Sequence, residues 1–124
     1  MSETVSSPKS SPSLTPAAFH IMLVLAGGEN HGYAIMREVA EHTNGKMRLG
    51  PGSLYGTIKR MLEDGWIEET DERPDPEMDD ERRRYYRLTS VGRKLVKAEA
   101  ERLEQLVNVA RGKKLLPSSG SIQF

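Results

Sequence analysis

The chain has 124 residues, 36% of them hydrophobic and 29% charged, and its 18 basic residues are balanced by 18 acidic ones. This length suffices for one domain with a small core, and the balanced charge excludes a polycation that binds nucleic acid by net charge alone. The absence of cysteine excludes disulfides and thiolate chemistry. Because no signal peptide and no apolar run near the ~20 residues of a membrane helix is found, we expect a cytoplasmic protein without membrane contact.

The N-terminal part of the chain predicts a tail followed by two helices. Residues 1–14 are rich in Ser and Pro and have few side chains to bury, so we expect them to be disordered. A first helix is predicted from Pro16 to Ala26, because Thr15 is a suitable N-cap and proline is tolerated at the first helical position. A second helix is predicted over residues 31–43, where apolar residues recur at helical spacing, with His31 as a capping or packing residue.

The third predicted helix has two distinct faces. After a short extended segment at 47–49 and a turn at 50–52, Ser53 is the predicted N-cap of a helix that ends at residues 64–65. At 3.6 residues per turn, one side of this helix is apolar, and the other is small at its start and cationic in the middle. The core side comprises Leu54, Ile58, Met61 and Leu62, the outer face Ser53, Gly56, Lys59, Arg60 and Glu63, and the flanks Tyr55 and Thr57. Such a face suits a DNA major groove, although two cations also occur on ordinary solvated helices.

Two short strands, 66–70 and 85–88, are predicted to form a β-hairpin with a long acidic tip at residues 71–81. Arg82, Arg83 and Arg84 lead into the second strand. Three consecutive arginines cannot all face inward, so we predict that some of them contact DNA phosphates. The alternative is that these arginines neutralise the acidic residues beside them.

A fourth helix is predicted from Thr89 or Ser90 to about residue 110, and residues 112–124 are expected to be a flexible tail. A helix of about 20 residues is ~30 Å long, which is too long to be buried against so small a domain. We therefore predict that it packs against a second copy of the chain, the alternative being a helix folded back on its own domain. The predicted dimer contacts are Leu95, Val96, Leu103, Leu106, Val107 and Ala110.

Signals of catalysis or metal binding are weak. The glycines at 50, 52 and 56 do not have dinucleotide-binding spacing, the three histidines lack zinc-ligand spacing, and no nucleophile elbow is present. We therefore expect no enzyme, no cofactor and no metal site. The predicted fold class is mainly α with a small β-hairpin, namely a winged helix-turn-helix over residues 15–89 followed by a dimerisation helix over 90–111.

Three segments together resemble the PadR family of transcriptional regulators. They are HGYAI at 31–35, GSLYGTIKRMLEDGWI at 52–67 and RRYYRLTSVGRKL at 83–95, and the resemblance spans residues 14–110. It implies a winged-helix DNA-binding domain and a homodimer held together by the C-terminal helix, which packs against the first helix of the partner, and it usually implies repression. Two departures are Gly56, where the family often has proline, and the long acidic wing tip.

The sequence therefore predicts a regulator, usually a repressor in this family, that binds a pseudo-palindromic double-stranded operator as a homodimer. The predicted DNA contacts are Ser53, Tyr55, Gly56, Thr57, Lys59, Arg60, Arg82, Arg83 and Arg84. Two alternatives stay open: a protein–protein interaction module that uses the acidic wing, and a sensor that binds a small-molecule effector at the dimer interface.

Overall fold

The structure is a computed structural model that describes residues 14–70 and 84–118. Its elements in chain order are α1 (Pro16–Ala26), β1 (Asn30–His31), α2 (Gly32–His42), α3 (Pro51–Glu63), β2 (Ile67–Glu69), β3 (Tyr85–Leu88) and α4 (Ser90–Gly112). The predicted fold class is confirmed. The predictions for the tail at 1–13, the acidic tip, Arg82, Arg83 and the last six residues lie outside the described residues.

Helix α1 is the central element of the core. The Thr15 hydroxyl accepts a hydrogen bond from the Ala18 amide (3.1 Å), and Pro16 occupies the first helical position, as predicted. Residues on several sides of α1 are buried, including Ile21 and Met22 at 0% exposure, because α2, α3, the start of α4 and the sheet surround it. The buried core consists of Ala18, Ile21, Met22, Val24, Leu25, Ile35, Val39, Leu54, Ile58, Met61, Ile67, Tyr86 and Val96.

Helix α2 begins one residue later than predicted, because His31 is its N-cap. The Nδ1 atom of His31 accepts a hydrogen bond from the amide of Ala34 (3.2 Å), and its ring meets Tyr85 edge-on at 5.3 Å between centroids. The predicted capping role of His31 is thereby confirmed. At the other end, Asn44 and Gly45 have positive φ angles of 54° and 80°, which turn the chain toward α3.

The sheet has three antiparallel strands in the order β1-β3-β2, where the sequence predicted a two-stranded hairpin. Asn30 pairs with Tyr86, and Glu68 on the other side of β3 pairs with Arg87. Strand β1 is only two residues long, which is too short for an alternating pattern to be visible in the sequence. The predicted extended segment at 47–49 is a linker without strand pairing.

Helix α4 is anchored to the domain at its first turns. The Thr89 hydroxyl accepts from the amide of Gly92 (3.0 Å) and donates to the carbonyl oxygen of Gly65 (2.7 Å). Gly92 packs against the backbone of Trp66 so closely that a Cβ atom would lie 2.9 Å from its carbonyl carbon. The hairpin and α4 are therefore fixed to each other, and the remainder of α4 extends away from the anchor.

Candidate nucleic-acid interface

The two faces of α3 are divided as the sequence predicts. Leu54, Ile58 and Met61 are buried, and Leu62 is half-buried against the core. The opposite face is exposed along its whole length, at Gly52, Ser53, Gly56, Lys59, Arg60 and Glu63. Packing of the apolar stripe on α1 and the sheet therefore presents the small and cationic residues outward.

The start of α3 differs from the prediction. Gly50 is the N-cap, Pro51 is the first helical residue, and no side chain caps the helix, so the prediction of Ser53 as N-cap is wrong. The first amide with an intrahelical acceptor is that of Leu54, which donates to Gly50 (2.9 Å). The amides of Gly52 and Ser53 therefore lack intrahelical acceptors, as usual in a first turn, and lie at the positive end of the helix dipole.

Tyr55 packs inside the domain. Its hydroxyl oxygen is buried, and its ring rests on the start of α2, where a Cβ atom on Gly32 would lie 2.9 Å from two ring carbons. The ring therefore joins α2 to α3 as a packing residue, and the contact of Tyr55 with DNA stays a prediction. This packing also explains the glycine in the segment HGYAI.

Thr57 is half-buried, and its hydroxyl donates to the Ser53 carbonyl oxygen (2.8 Å). This bond uses the only hydrogen of the hydroxyl, so Thr57 cannot donate to a phosphate while the bond is present. Gly56 is exposed, and a Cβ atom there would meet nothing within 4 Å. The backbone surface around Gly56 is therefore open to close approach.

The cations of the domain fall into two classes. Arg87 on β3 contacts Glu68 (2.7 Å), and Arg84, directly before β3, contacts Glu69 (3.6 Å). On α3, Lys59 and Arg60 are exposed and form no ion pair with any residue of the described part of the chain. Arg84 is therefore paired with an acid of the opposite strand, whereas the acids of the wing tip, which the alternative names as partners, lie outside the described residues.

Two further unpaired arginines were missed as candidate residues. Arg37 on α2 and Arg48 in the α2–α3 linker are exposed, and within residues 14–70 and 84–118 neither forms an ion pair. Arg37 lies over the ring of Tyr33, with its guanidinium carbon 5.9 Å from the ring centroid. The spacing of Tyr33 and Arg37, four residues apart on a helix, is a signal from which this pair could have been found.

A profile of the Transcriptional regulator PadR-like family matches residues 21–98 of the chain. The chain belongs to this family. Its members are transcriptional regulators rather than enzymes, which agrees with the absence of any catalytic pattern in the sequence.

Relatives of this PadR-like chain are found in bacteria. It is 32% identical over 93 residues to the transcriptional regulator Rv3488 of Mycobacterium tuberculosis, covering 75% of this chain and 80% of that protein. It is 37% identical over 86 residues to an uncharacterized 37.1 kDa protein in transposon TN4556 of Streptomyces fradiae. That match covers 69% of this chain but only 22% of the transposon protein, which is much longer.

Solved structures share the winged-helix fold of the PadR-like chain. A transcriptional regulator from Clostridium thermocellum superposes with a TM-score of 0.61 and 26% identity, covering 76% of this chain and 88% of that one. RosR of H. salinarum superposes with a TM-score of 0.60 and 24% identity, covering 86% and 99% of the two chains. The second match shows the fold alone.

Helix α4 of this PadR-like chain leaves an apolar surface uncovered. Beyond Val96 no residue up to Ser118 is buried, and large apolar side chains are exposed, with Leu106 at 53% and Val109 at 55%. Val96 itself is 5% exposed in the core of its own domain, so its side chain is not available to a partner and its prediction as a dimer contact is corrected. Leu95 is half-buried against the same core, whereas Leu103, Leu106, Val107 and Ala110 lie along the free part of the helix.

The described residues also bear on metal binding and on membrane insertion. Residues 14–70 and 84–118 contain no cluster of three His, Asp or Glu side chains that could hold a metal ion. None of the described helices is long and apolar enough to cross a membrane.

Proposed function

We propose that this PadR-like regulator binds double-stranded DNA sequence-specifically as a homodimer, with α3 in the major groove, and represses transcription. One observation carries the proposal: Lys59 and Arg60 extend from the exposed face of α3 and have no acidic partner in the described part of the chain. An Arg or Lys side chain on a helix in the major groove donates to the O6 and N7 atoms of guanine or to phosphate.

The shape of α3 supports the same role. Small residues at Gly52, Ser53 and Gly56 allow the helix backbone to come close to base edges, and the space around Gly56 is free. The amides of the first turn and the helix dipole favour a phosphate at the N-terminus of α3. The outer face therefore offers phosphate ligands at one end and base-reading cations in the middle.

The formal net charge of zero is compatible with this proposal because the charges are segregated. Acidic residues of β2 pair with Arg84 and Arg87 at β3, whereas Arg37 on α2, Arg48 in the linker and the two cations of α3 have no such partner in the described part of the chain. A local positive surface suffices to attract the DNA backbone, since the potential decays within a Debye length of ~8–10 Å at physiological salt.

A second copy of the chain is the proposed partner of α4. The free part of this 23-residue helix presents Leu103, Leu106 and Val107 at three- and four-residue spacing, which is the pattern of a helix that packs against another helix. A dimer with twofold symmetry binds a pseudo-palindrome, and a repressor acts by occupying such an operator. Because DNA is the proposed ligand, the cytoplasm stays the expected location.

The test is selection of bound duplexes from a random pool at physiological salt, followed by titration of the selected duplex. A palindromic consensus is expected. The variant Lys59→Ala/Arg60→Ala should lower specific affinity by about 30-fold or more, because each good base contact contributes about 1–3 kcal/mol.

The matched control is Lys94→Ala/Lys97→Ala, which removes two exposed charges from α4 and should leave specific affinity nearly unchanged. Unchanged operator affinity in the α3 variant would contradict the proposed role of α3. Absence of any duplex binding at low salt would instead favour a protein–protein interaction module.

A further inference from the structure

A groove on the outer side of α2 is not used by the contacts proposed for α3. It has a volume of about 240 Å³ and is lined by Tyr33, Met36, Arg37, Ala40, Arg48 and Leu49. Its wall includes residues of the linker that leads directly into α3. A ligand in this groove would therefore sit beside the N-terminal end of the proposed recognition helix.

The polar edges of the groove are cationic. Arg37 and Arg48 both line it, both are exposed, and neither forms an ion pair with a residue of the described part of the chain. Tyr33, 55% exposed, adds a phenol hydroxyl at the same edge. Two guanidinium groups and a hydroxyl are donors of the kind that bind phosphate oxygens.

Both arginines are positioned by their surroundings. Arg37 lies over the Tyr33 ring at 5.9 Å, which is within the range of a cation–π contact. The guanidinium of Arg48 lies over Gly45, where a Cβ atom would be only 3.2 Å from its Nη2 atom. The missing side chain of Gly45, in the turn after α2, thus leaves room for the Arg48 guanidinium.

The floor of the groove is apolar, because the lining residues Met36, Ala40 and Leu49 are half-buried, whereas its polar lining residues are exposed. A free phosphate ion would gain nothing from such a floor. A sugar–phosphate backbone has both parts of the required chemistry, since deoxyribose presents C–H surface and the phosphates on either side carry the charge.

We propose that this groove holds the sugar–phosphate backbone of one DNA strand at the edge of the major groove that α3 enters, with Arg37 and Arg48 on phosphates and deoxyribose against the apolar floor. The inference rests on the proposed function and assigns to α2 and the linker a contact that positions the protein without reading bases. An acidic protein segment is the competing occupant.

The test is the salt dependence of binding to the selected duplex and to a scrambled duplex of equal length, between about 50 and 200 mM salt. The variant Arg37→Gln/Arg48→Gln should reduce the slope of log K against log salt by about 1.8, because each lost phosphate contact contributes about 0.9. From the same slope, affinity at 0.15 M salt should fall by about 30-fold on both duplexes, so the ratio between them is retained.

The matched control is Arg87→Gln, which makes one of the same charge changes at an arginine engaged with Glu68. It should leave the slope unchanged, and circular dichroism should show native helicity for every variant. The Tyr33→Phe variant, which retains the ring beneath Arg37, should lose less affinity than the double arginine variant.

An unchanged slope in the Arg37/Arg48 variant would overturn this inference, and is the result expected if the groove holds a protein segment instead. The proposed function would survive that result, provided that the wild-type chain binds the selected duplex specifically and the Lys59/Arg60 variant does not. If the wild-type chain binds neither duplex, both proposals fail together.

Discussion

Three glycines of this small domain differ in whether packing requires a glycine at their position. Gly32 is covered by the ring of Tyr55, and Gly92 lies against the backbone of Trp66, so neither site has room for a methyl group. Gly56, by contrast, is exposed in the middle of α3 with free space around it. The first two are required for packing, whereas the third costs helix stability without improving any contact inside the domain.

This contrast gives a prediction at the residue scale. Gly32→Ala should destabilise the domain by about 1–3 kcal/mol through overpacking, although alanine is the better helix former. Gly56→Ala should stabilise it by about 0.5–1 kcal/mol. Chemical denaturation followed by circular dichroism measures both changes.

A double variant identifies the cause of the Gly32 effect. In a Tyr55→Leu background the ring is absent, and the cost of Gly32→Ala should become smaller because the two substitutions share one contact. Additive costs would show that the ring is not responsible. Reduced operator affinity of Gly56→Ala at increased stability would indicate that the DNA approaches the backbone there.

At the scale of elements, a helix or strand could be predicted from the sequence only where its apolar pattern was long enough to show a period. Helix α3 has a four-residue apolar stripe, and Leu54, Ile58 and Met61 are buried as the period requires. Strand β1 has two residues and carries no period, so its place in the sheet could only come from the structure. Its pairing with β3 depends on residues more than 50 positions apart, such as Asn30 and Tyr86.

In the candidate site, too, some features follow from the local sequence pattern and others do not. Exposure of Lys59 and Arg60 follows from helix geometry, and the sequence was sufficient to predict it. Burial of the Tyr55 hydroxyl depends on the small size of a residue on another helix, Gly32, and neutralisation of Arg84 depends on the strand opposite it. These are tertiary contacts, which a local pattern does not encode.

The free part of α4 carries the next prediction. Leu106→Ser/Val107→Ser should convert the proposed dimer to a monomer, because both side chains are exposed in the isolated chain, at 53% and 37%, and gain burial only from a partner. The protomer should stay folded for the same reason. Operator affinity should fall by roughly 10²-fold or more, since two linked half-sites bind with that advantage.

Light scattering coupled to gel filtration measures the oligomeric state of this variant. The control is Val91→Ser at the start of α4, which removes an equally exposed side chain, 53%, outside the predicted contact set. A monomeric wild-type chain, or a variant that stays dimeric, would contradict the role of this segment.

At the scale of the whole molecule, the anchoring of α4 to the DNA-binding domain determines how two copies would read an operator. The bonds of Thr89 and the close packing of Gly92 on Trp66 fix the direction of α4 relative to the hairpin and α3. If α4 holds two copies together, the distance and rotation between their two α3 helices are fixed as well. A rigid dimer therefore recognises half-site spacing in addition to half-site sequence.

The corresponding prediction concerns spacing in the selected operator. With half-sites one helical turn apart, about 34 Å, inserting about five base pairs turns the second half-site to the opposite side of the duplex. Affinity should then fall to that of a single half-site, and the Leu106→Ser/Val107→Ser variant should bind both duplexes equally. Competition titrations with the two duplexes measure the difference. Equal affinity of the wild-type chain for both would mean that the connection through α4 is flexible, because only a rigid connection penalises half a turn of rotation.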